Sequence, residues 1–308
     1  MKRIRIIEIL ANIKANLVAF LSIAMFVCLG VGLFLGIQWG AVALRNASLE
    51  SMNAGNLNDI SVQFPYGITE SDLSQIKDIE GVSKIEPGYS SYVVMEDGST
   101  AYTLKVQSVP QEINTPISIR GNMPKEKNEI ALLANFADEH HIGVGDKITL
   151  KHDATEQFNE DGTTTTDPDG MQFLNTDTYT VTALVNSAEY LYKNPQALGV
   201  CNIGSGQVDC VGYITNESFD TSKYNDGYPN VYIRCDSLNG LSVFENEYQT
   251  KALSIADKIT ELGGTLGTAR YNKLHDDAQK KLDDAKKKID DGEKQLEDGK
   301  NKIADGVA

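Results

Sequence analysis

Few residues have types that could do chemistry, and their spacing decides what each can do. His140 and His141 form the histidine cluster of the sequence. A zinc hydrolase sets its histidines on one helix face with a glutamate between them, and no such HExxH pattern or matched carboxylate is present. The pair reads as the polar end of a short helix. "DPDG" at Asp167 to Gly170 lacks the alternating oxygen ligands and closing glutamate of a calcium loop, so a type I turn is expected. "IGSG" at Ile203 to Gly206 has neither a strand before it, a helix after it, nor a lysine, which leaves a tight turn rather than a phosphate cradle. The sequence contains no GxxxxGK[ST] loop for ATP and no GxSxG elbow for a nucleophilic serine. "NES" at Asn216 to Ser218 fits a glycosylation sequon. Cys201 and Cys210 flank the short stretch "NIGSGQVD", so they are either a hairpin disulfide or small buried thiols. The expectation is a chain with no catalytic, cofactor-binding or metal-binding residue, and not an enzyme.

Of 308 residues, 41% are hydrophobic and 23% charged, which suits a globular core, and the net charge of -15 excludes the basic surface a nucleic-acid binder needs. Between Lys14 and Arg45 no residue is charged, and "NLVAFLSIAMFVCLGVGLFLGIQWGAVAL" (16–44) is long enough to cross a bilayer as a helix. A cleaved signal peptide ending near Ala41-Val42-Ala43 is the alternative, but its apolar region would be about twice the usual length. Lys2, Arg3, Arg5 and Lys14 precede the span, and after Arg45 the next basic residue is Lys77. The N-terminus is therefore expected in the cytoplasm and the main domain outside the cell membrane. Ile6, Leu10, Ile13 and Leu17 give residues 1–15 one apolar stripe, as in a helix lying on the inner face of the membrane.

Residues 45–59 are polar and read as a stalk. Strand-like "DISVQFP" follows, then a helix opened by Thr69 with Asp72 in capping position, bearing Leu73, Ile76 and Ile79 and ending at Gly81. Strands are expected at "VSKIE", 89–95 and 101–108, with "EDGST" as a hairpin turn. "RGNMPKEKNEIALLANFADEHHIGVGDKITL" reads as strand, short helix and strand, and 151–178 as an exposed hairpin or loop. Further strands are expected at 179–185, 208–215 and 230–235, then a helix over 244–262 stopped by Gly263-Gly264.

The last helix is expected from about Thr268 onward. Leu282, Ile289, Leu296 and Ile303 form one heptad column, and Ala278, Ala285, Gly292 and Gly299 the other core column, with the large column at position a and the small one at d. Glycine costs up to about 1 kcal/mol in a helix interior, so its confinement to the seam points to close approach by a partner backbone. Acid-first pairs four residues apart, such as Asp276 and Lys280 or Asp283 and Lys287, support the outer faces. A solvated single helix is the plainer alternative. The expected partner is a returning helix encoded beyond Ala308, with the present sequence the N-terminal part of a longer protein.

The order of the basic N-terminus, the long span, "SVQFPYGITESDLSQIKDIEGVSKIEPGY", "GNMPKEKNEIALL", "IGVGDKITL", "YTVTALVNSAEYLY", "IGSGQVDCVGYI" and the heptad helix resembles that of FtsX/MacB-like ABC transporter permeases. The resemblance covers essentially the whole chain. It implies an α+β fold: one N-terminal transmembrane helix, a MacB-like two-part extracytoplasmic domain, and a C-terminal coiled-coil helix. A porter-like α+β part would comprise residues 60–115 and 219–264, a mostly β part would be inserted at 116–218, and the coiled coil would occupy 265–308. It further implies a separate ABC ATPase on the cytoplasmic side touching residues 3–13, a permease dimer, contact with membrane lipid, and three later spans that this sequence lacks. No cofactor is implied. A single-pass anchored binding or adhesion protein is the competing reading.

Overall fold

The computed structural model describes residues 11, 13–97, 100–152, 155–158, 164–167, 172–190, 198–201, 203–204 and 206–307. It divides into two compact units, up to Ala54 and from Gly55 onward. The expected cytoplasmic helix lies mostly outside the described residues.

Helix α1 (Leu17–Ala54) is long and apolar enough to cross a membrane, and none of its residues is buried within the chain. It runs past Arg45 through ten residues expected to be stalk. "RNASLESMNA" contains neither proline nor glycine, so nothing interrupts the backbone ladder. The stop comes at Gly55 and Asn56, the latter with φ 47°, as at many helix C-termini.

The second unit has two sheets. Strands β1 (Ile60–Ile68) and β2 (Val82–Gly88) flank β12 (Tyr228–Cys235) in an antiparallel three-stranded sheet. Helix α2 (Glu70–Lys77) opens as expected, the Asp72 carboxylate accepting the Thr69 N–H at 3.1 Å and hydroxyl at 2.7 Å. It ends before Gly81, which with φ +97° turns the chain into β2. Helix α4 (Asn246–Val307) packs Ile255 and Ile259 with Leu73 and Ile76 of α2 against Ile60, Phe64, Val231 and Ile233 of the sheet.

The second sheet contains β3 (Ser90–Asp97), β4 (Thr100–Ser108), β5 (Ile117–Gly121), β6 (Glu129–Leu133), β7 (Lys147–Lys151), β10 (Thr178–Asn186) and β11 (Cys210–Ile214). Its order is β5-β10-β6-β11-β4-β3-β7, and an extra β10–β7 pairing closes six of the strands into a ring. Closure removes the free edges that an open sheet leaves exposed. Val93, Met95, Leu104, Val106, Ile130, Leu132, Val181, Leu184, Val211 and Tyr213 fill the core. Helix α3 (Ala134–Glu139) follows β6, as expected. Strands β8 (Thr155–Phe158) and β9 (Thr164–Asp167) form a hairpin of their own.

Two expectations are corrected. Residues 89–108 were grouped with the three-stranded part, but β3 and β4 belong to the ring, because Val93, Met95, Leu104 and Val106 all face its core. By sheet membership the chain passes from the three-stranded sheet to the ring near Tyr89. Helix α4 also does not stop at Gly263-Gly264 but continues unbroken. Packing on either side outweighs the intrinsic cost of about 1 kcal/mol per glycine: Ile255 and Ile259 before the pair are set into the sheet face, and Arg270 and Tyr271 after it are held at Tyr66 and Asn225. Strand β5 had no counterpart among the strands expected from the sequence; Ile117, Ser118, Ile119 and Arg120 do alternate, but over only four residues, and all five residues of the strand are exposed.

Candidate functional site: the junction after α1 and the uncovered end of α4

Residues 55–59, which leave α1, are tied down along their length. Asn114 sits at φ 58° in the loop after β4, where its Oδ1 accepts the Asn58 N–H at 2.8 Å and its own N–H donates to the Asn56 carbonyl at 3.0 Å. The Asn56 amide donates to the Glu112 carbonyl, and the Thr115 hydroxyl to the Gly55 carbonyl at 3.2 Å. The loop is itself fixed from β2: the Glu86 carboxylate accepts the N–H groups of Gln111, Glu112 and Ile113 at 2.5, 2.9 and 2.6 Å. Such charge-assisted bonds are among the stronger ones a backbone makes. Lys84 pairs with Glu112 at 2.6 Å; its hydrogen bond and its charge hold that carboxyl below the usual carboxylate range.

Asp59 closes the junction. Its side chain is 5% exposed and faces the Arg234 guanidinium at 3.4 Å. Oδ1 accepts the Tyr248 hydroxyl at 2.8 Å, and Oδ2 accepts the Cys235 N–H at 2.8 Å. Arg234 also donates to the Leu57 carbonyl. One carboxylate thus joins the exit segment of α1, strand β12 and the first turn of α4. Burial, reinforced by the hydrogen bond to Asp59, pushes the Tyr248 phenol up. Burial and then the Asp59 charge push the Cys235 thiol up to about 11. Both neighbours therefore stay neutral, and the Asp59 charge is balanced by Arg234.

A second pin holds α4 about two-fifths of the way along. Arg270 donates to the Asn225 carbonyl and to that of Tyr66, the latter at 3.4 Å, and the Tyr271 ring lies 5.5 Å from the Tyr66 ring. Between the pins, Phe64, Tyr66, Ile259, Gly263, Leu266 and Gly267 line an apolar groove of about 420 Å3. Past the second pin the cover ends. Leu282, Ile289 and Leu296 are 50%, 60% and 62% exposed, and a Cβ at Gly292 or Gly299 would meet nothing within 4 Å. The ion pairs formed on α4 among the described residues include Glu247–Lys251 at 2.9 Å and Glu297–Lys300 at 3.9 Å, not the acid-first pairs anticipated in the heptads.

The residues first considered for chemistry have structural surroundings. His140 ends α3, with its ring 4.4 Å from those of Tyr102 and Phe136. Cys201 and Cys210 are free thiols, not a disulfide. The Cys201 Sγ donates to the Ile203 carbonyl at 3.4 Å, and burial pushes the Cys210 thiol up to about 12. Ser218 of the sequon is buried and its hydroxyl donates to the Lys127 carbonyl at 2.8 Å. Residues 168–170 and Ser205, in the two suspected ligand loops, lie outside the described residues, as does nearly all of 3–13. Among the described residues no group of three or more His, Cys, Asp or Glu side chains is placed to hold a metal ion. Asp59, Arg234, Asn56 and Asn114 had no sequence signal, and Tyr248 was placed only within the helix expected over 244–262; they meet through contacts between segments far apart in sequence.

No protein-family model matches the chain, and no curated protein matches it in sequence. Solved structures similar to it include the extracellular domain of the noncanonic ABC-type transporter YknZ from Gram-positive bacteria, 9% identical at a TM-score of 0.34, covering 66% of this chain and 82% of that one. Another is the periplasmic region of MacB from Actinobacillus actinomycetemcomitans, 10% identical at a TM-score of 0.34, covering 71% of this chain and 90% of that one. At such identities and scores, function has to be read from the residues of this chain.

Proposed function

We propose that this chain is the membrane-anchored outer part of an ABC transporter permease subunit of the FtsX/MacB-like type. Residues 16–44 cross the cell membrane with the N-terminus in the cytoplasm. A separate ATPase hydrolyses ATP on the inner side, and the permease works as a dimer in contact with membrane lipid. The chain's own work is mechanical: displacement of the span reaches the outer domain through residues 55–59 and moves α4, for export, extraction or signalling across the membrane. The observation that carries this reading is the Asp59 junction. A flexible tether would suffice for an anchored binding or adhesion protein, whereas here the segment leaving α1 is bonded to β12, to α4 and to the loop held by Glu86. On the same reading, the helical seam of α4 takes a partner helix and forms a coiled coil.

The test is reconstitution in native membranes. Cross-linking from cysteines placed at residues 3–13 is expected to capture an ABC ATPase, in a yield that changes with bound nucleotide. Capture of no ATPase, with cell-surface binding intact, would establish the anchored adhesion protein instead.

A further inference from the structure

The uncovered seam of α4 carries a charge pattern that discriminates between partners. With Leu282, Ile289 and Leu296 at a and Ala285, Gly292 and Gly299 at d, the flanking e positions are Gln279, Lys286, Glu293 and Lys300, and the g positions include Lys281, Lys288 and Gln295. Acidic residues are instead gathered at b and c: Asp283, Asp284, Asp290, Asp291, Glu297 and Asp298. The seam is therefore edged by lysine on a chain whose net charge is -15. Residues 275–298 are exposed, so these charges face whatever covers the seam. Residues at e and g choose the partner of a coiled coil.

A second copy of this helix fits poorly in either direction. Side by side and parallel, a would meet a and d would meet d, so glycine would stack on glycine and leave empty layers that forfeit packing. Antiparallel, large would meet small and e would face e, where Lys286 can meet Glu293 of the other copy, but g would face g with only lysine and glutamine on that edge, and like charges so placed repel. Resting on the coiled-coil reading above, we propose that the seam binds a different helix. That helix carries glutamate or aspartate at its flanking positions, small residues opposite Leu282, Ile289 and Leu296, and large apolar ones opposite Gly292 and Gly299.

Three synthetic helical peptides of about four heptads test this against the full chain in detergent micelles by fluorescence anisotropy. One has alternating large and small seam residues with glutamate at e and g. The second has the same seam with lysine there, and the third copies residues 279–306. The acidic peptide is expected to bind about tenfold or more tightly than either of the others, and to weaken as salt is raised. Because the chain as a whole is acidic, non-specific attraction would favour the lysine peptide. The variant Lys281→Glu/Lys286→Glu/Lys288→Glu/Lys300→Glu, whose changes lie on exposed positions, is expected to invert the preference. Equal binding of acidic and basic peptides, or tighter binding of the self-copy, overturns the charge assignment and leaves a coiled coil. Binding of none of the three, by the chain or the variant, removes the coiled coil itself and this inference with it.

Discussion

The first turns and the last turns of α4 belong to one unbroken helix and are held by opposite means. From Asn246 to Tyr271 the helix is fixed by contacts that only this fold provides: a buried carboxylate, a guanidinium on two carbonyls, and Ile255 and Ile259 set into the sheet face. From about His275 onward it has a regular seam whose Leu282, Ile289 and Leu296 are exposed among the described residues. The glycines show the contrast best. Gly263 lies within contact distance of Phe64, whereas Gly292 and Gly299 face open space. The uncovered end is about 50 Å long at 1.5 Å per residue; on the proposed function it would reach for a partner and the anchored end would drive it.

The widest difference between the two regions is expected in thiol reactivity. Cys235, buried at the junction with its thiol pushed up to about 11, should react with a maleimide at neutral pH roughly a hundredfold more slowly than a cysteine placed at exposed Ala285, because the thiolate is the reacting species. Mass spectrometry of timed quenches reads the two rates. Next is Asp59→Ala, which leaves the partly buried Arg234 without its partner and is expected to lower unfolding free energy by about 3 kcal/mol in denaturant titration. Tyr248→Phe removes one hydrogen bond to the same carboxylate and should lower it by about 1 kcal/mol. Gly292→Ala should act in the opposite sense, raising the helicity of the uncovered end by up to about 1 kcal/mol when no partner is bound. Smallest is Leu282→Ala, expected to change stability by less than about 0.5 kcal/mol, since the side chain is half exposed. A large loss there would mean that the seam is already covered.

Much of the element order was legible, and the reasons differ from element to element. The Thr69–Asp72 cap and the apolar run of α1 are local signals, so the sequence displayed them directly. Strands β3 and β4 were visible as strands, but their sheet was not, since the β11–β4 and β3–β7 pairings are made by residues far along the chain. Gly263-Gly264 misled because a glycine pair normally ends a helix, whereas here the helix is held on both sides of the pair by contacts to residues far away in sequence. The seam of α4 was legible by its period. The junction was not, because Asp59 and Arg234 are 175 residues apart and neither stands in a recurring motif.

Hydrogen exchange along α4 in the full chain, compared with the Asp59→Asn variant, tests the central claim most directly. Protection is predicted to step down near Tyr271 in the parent protein. In the variant, amides from Asn246 to about Ile259 should exchange faster, with those from His275 onward unchanged. Even protection along the whole helix, or a variant indistinguishable from the parent over its first turns, would contradict the anchoring of α4 through Asp59.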